Sequence, residues 1–368
     1  MTVSIIIPDI TRAGGTERAV VTLANMLCKK YSEVHILSMT KTEVKCAYYQ
    51  IDERVSVFFL DNEPLQSKVS HKIKWSINTV SLLNKYFKKN KTDLIISTGH
   101  NYNWLLYFIN GGKYVKKIAC EHIVYSSIPR LSRLFMRLTY PFLDQIVVLS
   151  DIAAKSFNKY SKVVVIPNAI PFKAVQKSPL IEKQILMVGR LSPEKGIERL
   201  IPIASIIKEK FSDWKIIILG DGPERHSLEE QIKRADLNDF IFLKGAVKDV
   251  QSYYLSSSIY IMTSHFEAFP MVLLEAQSFG LPIISYNCPE GPAQIVDSNI
   301  NGFLIDNGNS NDFSEKVLML IENKELRQDM GKNGKNNANK FSEEKILLQW
   351  ESLINKLHHK LINRELSP

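Results

Sequence analysis

Short runs of β-branched residues alternate with longer stretches of helical apolar spacing along most of the chain. Strands separated by helices are typical of βαβ units, and therefore of parallel sheets. In the first half the pattern predicts strands at residues 3–8, 33–38, 55–60, 93–97, 117–120, 145–149 and 163–166. In the second half it predicts strands at residues 184–188, 215–219, 240–244, 259–263 and 282–285. We therefore expect an α/β protein with two sheets.

The two groups of strands predict two Rossmann-like domains, which suits a chain of 368 residues. Residues 167–180 contain three prolines and no periodic pattern, so we place a linker at residues 171–182. The expected domains are residues 1–172 and 173–345, and a final helical segment, 346–368, could cross back to the first domain. Open α/β sheets bind ligands at the carboxyl ends of their strands, so we expect the two sheets to face across a cleft.

The composition is typical of a globular cytoplasmic protein, with 45% hydrophobic and 23% charged residues. No stretch approaches 18 uncharged apolar residues, and no export signal precedes the first strand. The cysteines have neither the paired spacing of a metal site nor a disulfide framework; they are Cys28, Cys46, Cys120 and Cys288. We therefore expect a protein of a reducing compartment.

The net charge of +9 is unevenly distributed. Residues 1–172 hold 23 Lys and Arg against 12 Asp and Glu, whereas the remainder holds 24 against 26. A basic first half suggests an anionic partner, either nucleic acid or a membrane surface, although lysines that serve only solubility would give the same count. No helix-turn-helix or RNA-binding motif accompanies the charge, so we expect no nucleic-acid partner.

Residues 129–140 predict a basic amphipathic helix. Arg130, Arg133 and Arg137 share one helical face, and leucines and a phenylalanine occupy the others. Such a helix is typical of peripheral attachment to anionic lipid, and also of an ordinary surface helix packed on a sheet. We expect the three arginines to face the inner surface of the cell membrane.

Residues 265–282 predict a short helix with two carboxylates, Glu267 in the loop before it and Glu275 within it. Pro270 suits its first position, Gly280 suits the cap after its last turn, and this helix of about ten residues follows Glu267. Glu275 within the helix could accept hydrogen bonds from a ribose diol, and both carboxylates could equally be ordinary surface groups. The first backbone amides of this helix would lack an intrahelical partner and could bind an anion or a sugar hydroxyl. They are those of Ala268, Phe269 and Met271.

Glycine-containing turns follow several predicted strands. Residues 188–196 place Arg190 and Lys195 in one turn, where they could converge on a diphosphate and stabilise a leaving group. Taken alone, this spacing is also common on solvated surfaces. Gly14 and Gly15, before the first helix, and Gly220, after a later strand, would let the backbone approach a ligand closely.

These segments together resemble the large E-x7-E group of retaining GT-B glycosyltransferases, which are family 4-like. The resemblance rests on Glu-Ala-Phe-Pro-Met-Val-Leu-Leu-Glu-Ala at residues 267–276, followed by Phe-Gly-Leu-Pro. It implies that Glu267 contacts the hydroxyls of the donor sugar and that Glu275 contacts the ribose. It also implies that Arg190 and Lys195 bind the diphosphate.

The same resemblance assigns roles to residues whose types alone are weak evidence. Gly14 and Gly15 would face the donor diphosphate and the acceptor, and Gly220 would lie near the nucleotide. The turn of residues 244–247 would contact the base through its backbone at Val247. His122, which as a lone histidine is more commonly structural, would lie near the transferring sugar as a catalytic group with Glu267.

The resemblance implies a hexosyltransferase that moves a hexose or N-acetylhexosamine from a UDP-sugar to a lipid-linked glycan acceptor in surface polysaccharide synthesis. Residues 287–296 are similar to a segment of members that use UDP-sugars. The chain contains no Asp-x-Asp triplet, so we expect no essential metal and no cofactor. The alternatives are a sugar-nucleotide epimerase or hydrolase of the same architecture, and a non-catalytic subunit that binds nucleotide sugars.

Overall fold

The computed structural model describes residues 1–40, 42–66, 68–99, 102–160, 162–172 and 174–365. The chain divides into two compact units. The first unit combines Met1–Pro171 with Glu343–Pro368, and the second is Phe172–Ser342. Each unit is built on one parallel sheet.

The first sheet has seven parallel strands. They are β1 (Thr2–Ile7), β2 (Glu33–Thr40), β3 (Val55–Asn62), β4 (Leu94–Ser97), β5 (Lys116–Glu121), β6 (Gln145–Val148) and β7 (Val163–Val165). Their order across the sheet is β3-β2-β1-β4-β5-β6-β7. The direction in which successive strands are added reverses between β1 and β4, which makes this pair the switch point of the sheet.

The second sheet has six parallel strands. They are β8 (Gln184–Val188), β9 (Lys215–Leu219), β10 (Ile241–Gly245), β11 (Ile259–Met262), β12 (Ile283–Tyr286) and β13 (Gly302–Ile305). Their order is β10-β9-β8-β11-β12-β13. The switch point of this sheet therefore lies between β8 and β11.

Helices lie between strands of both sheets and after the last strand. They are α1 (Gly15–Leu27), α2 (Val69–Lys89), α3 (Arg130–Thr139), α4 (Asp151–Phe157), α5 (Leu200–Lys210), α6 (Arg225–Arg234), α7 (Val250–Leu255), α8 (Met271–Ser278), α9 (Ser310–Glu322), α10 (Lys324–Ala338) and α11 (Glu343–Glu365). Asn309 and Asn323 cap α9 and α10, because their side chains accept hydrogen bonds from amides of the first turn. Within the described ranges, no helix has the length and apolar content needed to cross a membrane.

Strand β1 shows how the first sheet is buried on both faces. Its side chains alternate, so Ile5 packs in one cluster with Leu23 of α1 and Trp350 of α11, and Ile6 packs in another with Leu83 of α2. A strand buried on both faces appears in the sequence as a continuous apolar run rather than an alternating one. The predicted fold class, two parallel α/β units, is confirmed.

Two local features differ from the prediction. Strand β13 was not predicted, because it has only four residues, begins with glycine and lies at the edge of its sheet. The predicted linker at residues 171–182 is anchored to the second unit by two buried residues, Ser178 and Leu180. The amide of Ser178 donates to the carbonyl of Phe279 at 2.8 Å, and its hydroxyl donates to the carbonyl of Ser257 at 2.5 Å.

Helix α11 belongs to the first unit. Its buried apolar side chains recur at helical spacing and join the cluster under α1, at Ile346, Leu347, Trp350, Leu353, Ile354 and Leu357. Two ion pairs flank this contact, Lys29 with Glu343 at 2.6 Å and Lys30 with Glu351 at 3.2 Å. The apolar face of α11 thus completes one side of the first unit's core.

We predict that Ile354→Ala lowers the free energy of unfolding by about 3 kcal/mol, because it removes buried methyl groups and leaves a cavity. Leu348→Ala on the same helix is the matched control, since Leu348 is 62% exposed. Its effect should stay within about 0.5 kcal/mol. Urea denaturation of the three proteins measures both values, and equal losses would contradict the packing of α11.

Candidate functional site

The candidate site of the second unit lies at the switch point between β8 and β11. Residues 189–199 follow β8 and are called the β8 loop, and residues 263–270 follow β11 and are called the β11 loop. Both loops leave the sheet at the carboxyl ends of adjacent strands, where open α/β sheets bind their ligands. The predicted residues Arg190, Lys195 and Glu267 lie on these two loops.

The backbones of the two loops are in direct contact. The amide of His265 donates to the carbonyl of Glu194 at 2.9 Å. Beside this bond, Gly196 adopts a left-handed conformation with φ 57°, and a Cβ atom there would lie 2.5 Å from the carbonyl oxygen of Thr263. Only glycine permits both this conformation and this approach. Gly196 therefore sets the distance between the loops.

An ion pair joins the same loops through their side chains. Lys195 Nζ lies 2.6 Å from Glu267 Oε1, and the hydroxyl of Ser264 donates to that oxygen at 2.8 Å. The two side chains of the pair are 25% and 12% exposed. Burial alone would lower the pKa of Lys195, but the charge and hydrogen bond of Glu267 raise it above its ordinary value. Lys195 therefore carries its charge at neutral pH.

The turn after β9 lies against the start of the β8 loop. Gly220 has φ 130°, and a Cβ atom there would lie 1.9 Å from the carbonyl oxygen of Gly189. The amide of Gly220 donates to the carbonyl of Gly245, at the end of β10, at 2.8 Å. Val247 follows this turn and is half-buried. The predicted glycine turns thus meet at one edge of the sheet.

Arg190 is exposed at the start of the β8 loop. In the part of the chain that the structure describes, its side chain makes no hydrogen bond or ion pair. The guanidinium group is therefore not engaged by a neighbouring carboxylate there. Its predicted role with the diphosphate stays a prediction.

Helix α8 begins later than the sequence predicts. Its first residue is Met271, and Pro270 is the cap with an extended backbone, φ −74° and ψ 90°. The carbonyl of Pro270 accepts a hydrogen bond from the amide of Leu273 at 3.0 Å. Ala268 and Phe269 therefore precede the helix, and their amides belong to the β11 loop rather than to the first turn.

Glu275 is fully buried within α8. Its Oε2 accepts a hydrogen bond from the hydroxyl of Tyr254, on α7, at 3.0 Å. The ring of Tyr254 stacks on Phe279 with a centroid separation of 5.2 Å. The observed contacts of Glu275 are thus internal to the second unit, and its contact with a ribose stays a prediction.

Residues 287–296 border the β11 loop. Glu290 forms an isolated parallel bridge with Glu267. Cys288 is buried nearby, and burial together with the charge of Glu267 raises the pKa of its thiol to about 12. The segment that resembles part of the UDP-sugar enzymes therefore lies beside the predicted sugar-binding carboxylate.

The predicted residues of the first unit follow strands of its sheet. Gly14 caps α1 and Gly15 is its first residue, after β1, and His122 follows β5 directly. His122 and Val20 of α1 line one small cavity of about 20 Å³. A cavity of this size holds about one water molecule, so it is not a substrate pocket.

Glu121, beside His122, is a buried titratable group whose environment the sequence did not predict. Its Oε1 accepts hydrogen bonds from Asn103 Nδ2 at 2.7 Å and from the hydroxyl of Tyr140. Burial raises the pKa of Glu121 to about 7, although both hydrogen bonds lower it. Asn103 also donates to the carbonyl of Cys120 at 2.9 Å, so this network holds the end of β5.

The remaining predicted residues lie on α3. Arg130 and Arg137 are exposed, and Arg133 is half-buried with its guanidinium carbon 5.6 Å from the ring centre of Tyr125. Sequence reasoning missed Arg199, which contacts the β11 loop, and Ser264 within that loop, whose hydroxyl donates to Glu267. A hydrogen bond from Arg199 to a loop about 65 residues away leaves no spacing signal in the sequence. Among the described residues, no group of three or more His, Cys, Asp or Glu is arranged to hold a metal ion.

Two protein-family models match the chain, one for each unit. The description "Glycosyl transferases group 1" matches residues 171–337, and "Glycosyltransferase Family 4" matches residues 13–173. Together they cover residues 13–337, which include every strand of both sheets except β1. The chain belongs to these glycosyltransferases, and it is an enzyme of that class.

Curated relatives of full length agree with this assignment. An uncharacterized glycosyltransferase of Haemophilus influenzae is 29% identical, covering 95% of this chain and 98% of its own. The amylovoran biosynthesis glycosyltransferase AmsD of Erwinia amylovora is 28% identical, covering 95% and 99%. An α-1,4-N-acetyl-D-galactosaminyltransferase of Campylobacter jejuni, named for a PP-undecaprenol-linked glycan, is 28% identical, covering 96% and 98%.

A solved structure supports the fold. A variant of TarM from S. aureus, in complex with Fondaparinux, alpha-GlcNAc-glycerol and UDP, superposes with a TM-score of 0.82 at 16% identity. The match covers 96% of this chain and 100% of that one. The GT-B fold predicted from the sequence is therefore confirmed.

We predict that Glu121→Gln removes a pH dependence from the stability of the first unit. Above pH 4.5 the unfolded chain loses this proton, whereas the folded unit keeps it to about pH 7. The wild-type free energy of unfolding should therefore fall across this window by about 3 kcal/mol relative to the variant. Urea denaturation of both proteins at pH 4.5 and 7.5 measures this, and a constant difference between them would contradict it.

Proposed function

We propose that this protein is a retaining transferase that moves a hexose or N-acetylhexosamine from a UDP-sugar to a lipid-linked glycan acceptor in cell-surface polysaccharide synthesis. The main support for this proposal is the Lys195–Glu267 ion pair at the switch point of the second sheet. It supplies one cation and one carboxylate side by side, which suits a ligand that has both phosphates and sugar hydroxyls.

The donor-side roles follow from this charge arrangement. When the bond between the anomeric carbon and the diphosphate oxygen breaks, negative charge develops on the leaving nucleotide. Lys195 and the exposed Arg190 would stabilise that charge in place of a metal ion, so transfer should persist in EDTA. Glu267, held by Lys195 and Ser264, would accept hydrogen bonds from the sugar hydroxyls.

Further residues keep their predicted roles in this proposal. On the second unit, Glu275 binds the ribose, and the backbone near Gly220 and Val247 approaches the nucleotide. The β11 loop amides of Ala268 and Phe269 and the first amide of α8 add donors beside Glu267. In the first unit, the backbone at Gly14 and Gly15 faces the diphosphate and the acceptor, and His122 donates or accepts a hydrogen bond near the transferring sugar.

The choice of UDP and of a lipid-linked acceptor is supported by the named relatives. The TarM structure contains UDP, and the Campylobacter enzyme is named for a PP-undecaprenol glycan. The Erwinia relative is named for amylovoran biosynthesis. These names support the chemical class of the substrates.

We predict that at least one UDP-sugar raises the melting temperature of the protein when UDP- and GDP-sugars are screened in a buffer that contains EDTA. A ligand at a hundredfold its dissociation constant adds about 2.7 kcal/mol of stability. Glu267→Gln should reduce the shift because it weakens contacts with the sugar hydroxyls, and Glu230→Gln on exposed α6 should not. Absence of any shift with UDP-sugars, or a shift only with GDP-sugars, would refute the proposed donor.

Peripheral attachment to the inner face of the membrane is part of the proposed function, and α3 supplies the contact. Leu131, Leu134, Leu138 and the following Phe142 lie on one side of this segment, each between 52% and 67% exposed. The ring of Phe142 lies 5.0 Å from that of Tyr107, which is also exposed. We call these five side chains the apolar ridge. Exposed apolar patches of this kind mark interaction surfaces.

The charges around the apolar ridge favour an anionic bilayer as its partner. Between residues 93 and 144 the chain has six Lys and Arg and three acidic residues, of which Glu121 is buried and Asp144 pairs with Lys116 at 3.0 Å. Arginines beside exposed leucines and aromatic rings are typical of helices that lie in the membrane interface. The ridge would enter the headgroup region while Arg130 and Arg137 contact anionic headgroups.

We predict that replacing Leu131, Leu134 and Leu138 together by serine weakens binding to vesicles of phosphatidylglycerol and phosphatidylcholine by about a hundredfold. The matched control is Ile73→Ser with Ile77→Ser on α2, since these side chains are 59% and 67% exposed on another helix. Replacing the three arginines by glutamine should weaken binding mainly at low salt. Vesicle sedimentation measures the binding of all four proteins. If the leucine variant binds vesicles as tightly as the wild type, the apolar ridge is not the membrane contact.

A further inference from the structure

Arg199, the last residue of the β8 loop, contacts three neighbouring strand ends of the second sheet. Its Nη1 donates to the carbonyl of Thr263, directly after β11, at 3.0 Å. Its Nη2 donates to Oδ1 of Asn307, shortly after β13, at 2.7 Å. Its guanidinium carbon lies 3.8 Å from the ring centre of Tyr286, at the end of β12. One side chain therefore connects the ends of β11, β12 and β13.

These contacts act on the first residues of the β11 loop. The same Nη1 lies 3.5 Å from the carbonyl oxygen of Ser264, the residue whose hydroxyl donates to Glu267. Arg199 thus holds the backbone just before Glu267, while Lys195 holds its carboxylate. Both side chains come from the β8 loop, so the loop is fixed to Glu267 at two separate points.

The guanidinium charge of Arg199 is directed at backbone carbonyls and an aromatic face. Within the described residues it has no carboxylate partner at ion-pair distance. Its charge is stabilised instead by two carbonyl dipoles, an amide oxygen and the negative face of a tyrosine ring. The side chain is half-buried and packs over the ring of Tyr286, a member of the unit's hydrophobic core.

We infer that Arg199 is a positioning residue that orients Glu267 for the donor sugar without contacting the donor itself. This inference rests on the proposed role of Glu267 in binding the sugar. A hydrogen bond between a carboxylate and a hydroxyl weakens steeply when its angle or distance changes. Loss of Arg199 would let the β11 loop shift, so recognition of the sugar would weaken while recognition of the nucleotide would not.

The test compares the affinities of each protein for a UDP-sugar and for UDP alone by calorimetry. Arg199→Ala should lower the ratio of these two affinities by about tenfold. Glu267→Gln should lower it in the same way, and Arg199→Lys should recover part of it, because an ammonium can reach one carbonyl but cannot make both contacts. Binding of UDP itself should stay unchanged.

Arg327→Ala is the matched control. Arg327 also donates to backbone carbonyls, those of Leu320 at 2.5 Å and Ile321 at 2.9 Å, and lies over the ring of Trp214. It does not contact the β11 loop. Its removal should lower the melting temperature and leave the affinity ratio unchanged. Asn307→Ala, which removes one acceptor and keeps Arg199, should lower the ratio in the same direction by a smaller factor.

The outcomes separate this inference from the proposed function. If Glu267→Gln leaves the ratio unchanged, the role of Glu267 is wrong and the inference is wrong with it. If Glu267→Gln lowers the ratio but Arg199→Ala and Asn307→Ala do not, only the inference is overturned. An equal fall in Arg327→Ala would also overturn it. If Arg199→Ala does not fold, Asn307→Ala decides the question.

Discussion

The contact between the β8 and β11 loops is the constraint on which the candidate site depends. It exists because β8 and β11 are neighbours at the switch point of the second sheet, although about 70 residues separate them in sequence. Gly196 sets the closeness of the backbones, since a Cβ atom would lie 2.5 Å from the carbonyl of Thr263. The Lys195–Glu267 ion pair and the hydrogen bond from Arg199 to Thr263 both join the two loops across this approach.

Close approach of the loops has electrostatic consequences. It places Lys195 at 2.6 Å from Glu267, in a partly buried setting where each charge needs its partner. The pKa of Lys195 is raised as a result, so a fixed cation stands beside a fixed carboxylate. A nucleotide diphosphate and a sugar present complementary groups, phosphate oxygens and hydroxyls. The same loop contact thus links the fold to the proposed chemistry.

The sequence predicted the two parallel sheets because strands buried on both faces, such as β1, form continuous apolar runs. It also predicted the loops with Lys195 and Glu267, since glycines and charges at strand ends have local signatures. It did not predict β13, which is short and glycine-led, or the contacts of Arg199. Those contacts depend on which strands are neighbours, and local spacing contains no information about strand order.

The most direct test of the central claim is a double-mutant cycle on UDP-sugar affinity, with Lys195→Met, Glu267→Gln and the double variant measured by calorimetry. If the pair forms one part of the donor site, each single variant should weaken binding by about tenfold or more, and the double variant should lose clearly less than the product of the two. If the affinity loss of the double variant equals the product of the two single losses, or if the single variants bind like the wild type, the account is contradicted.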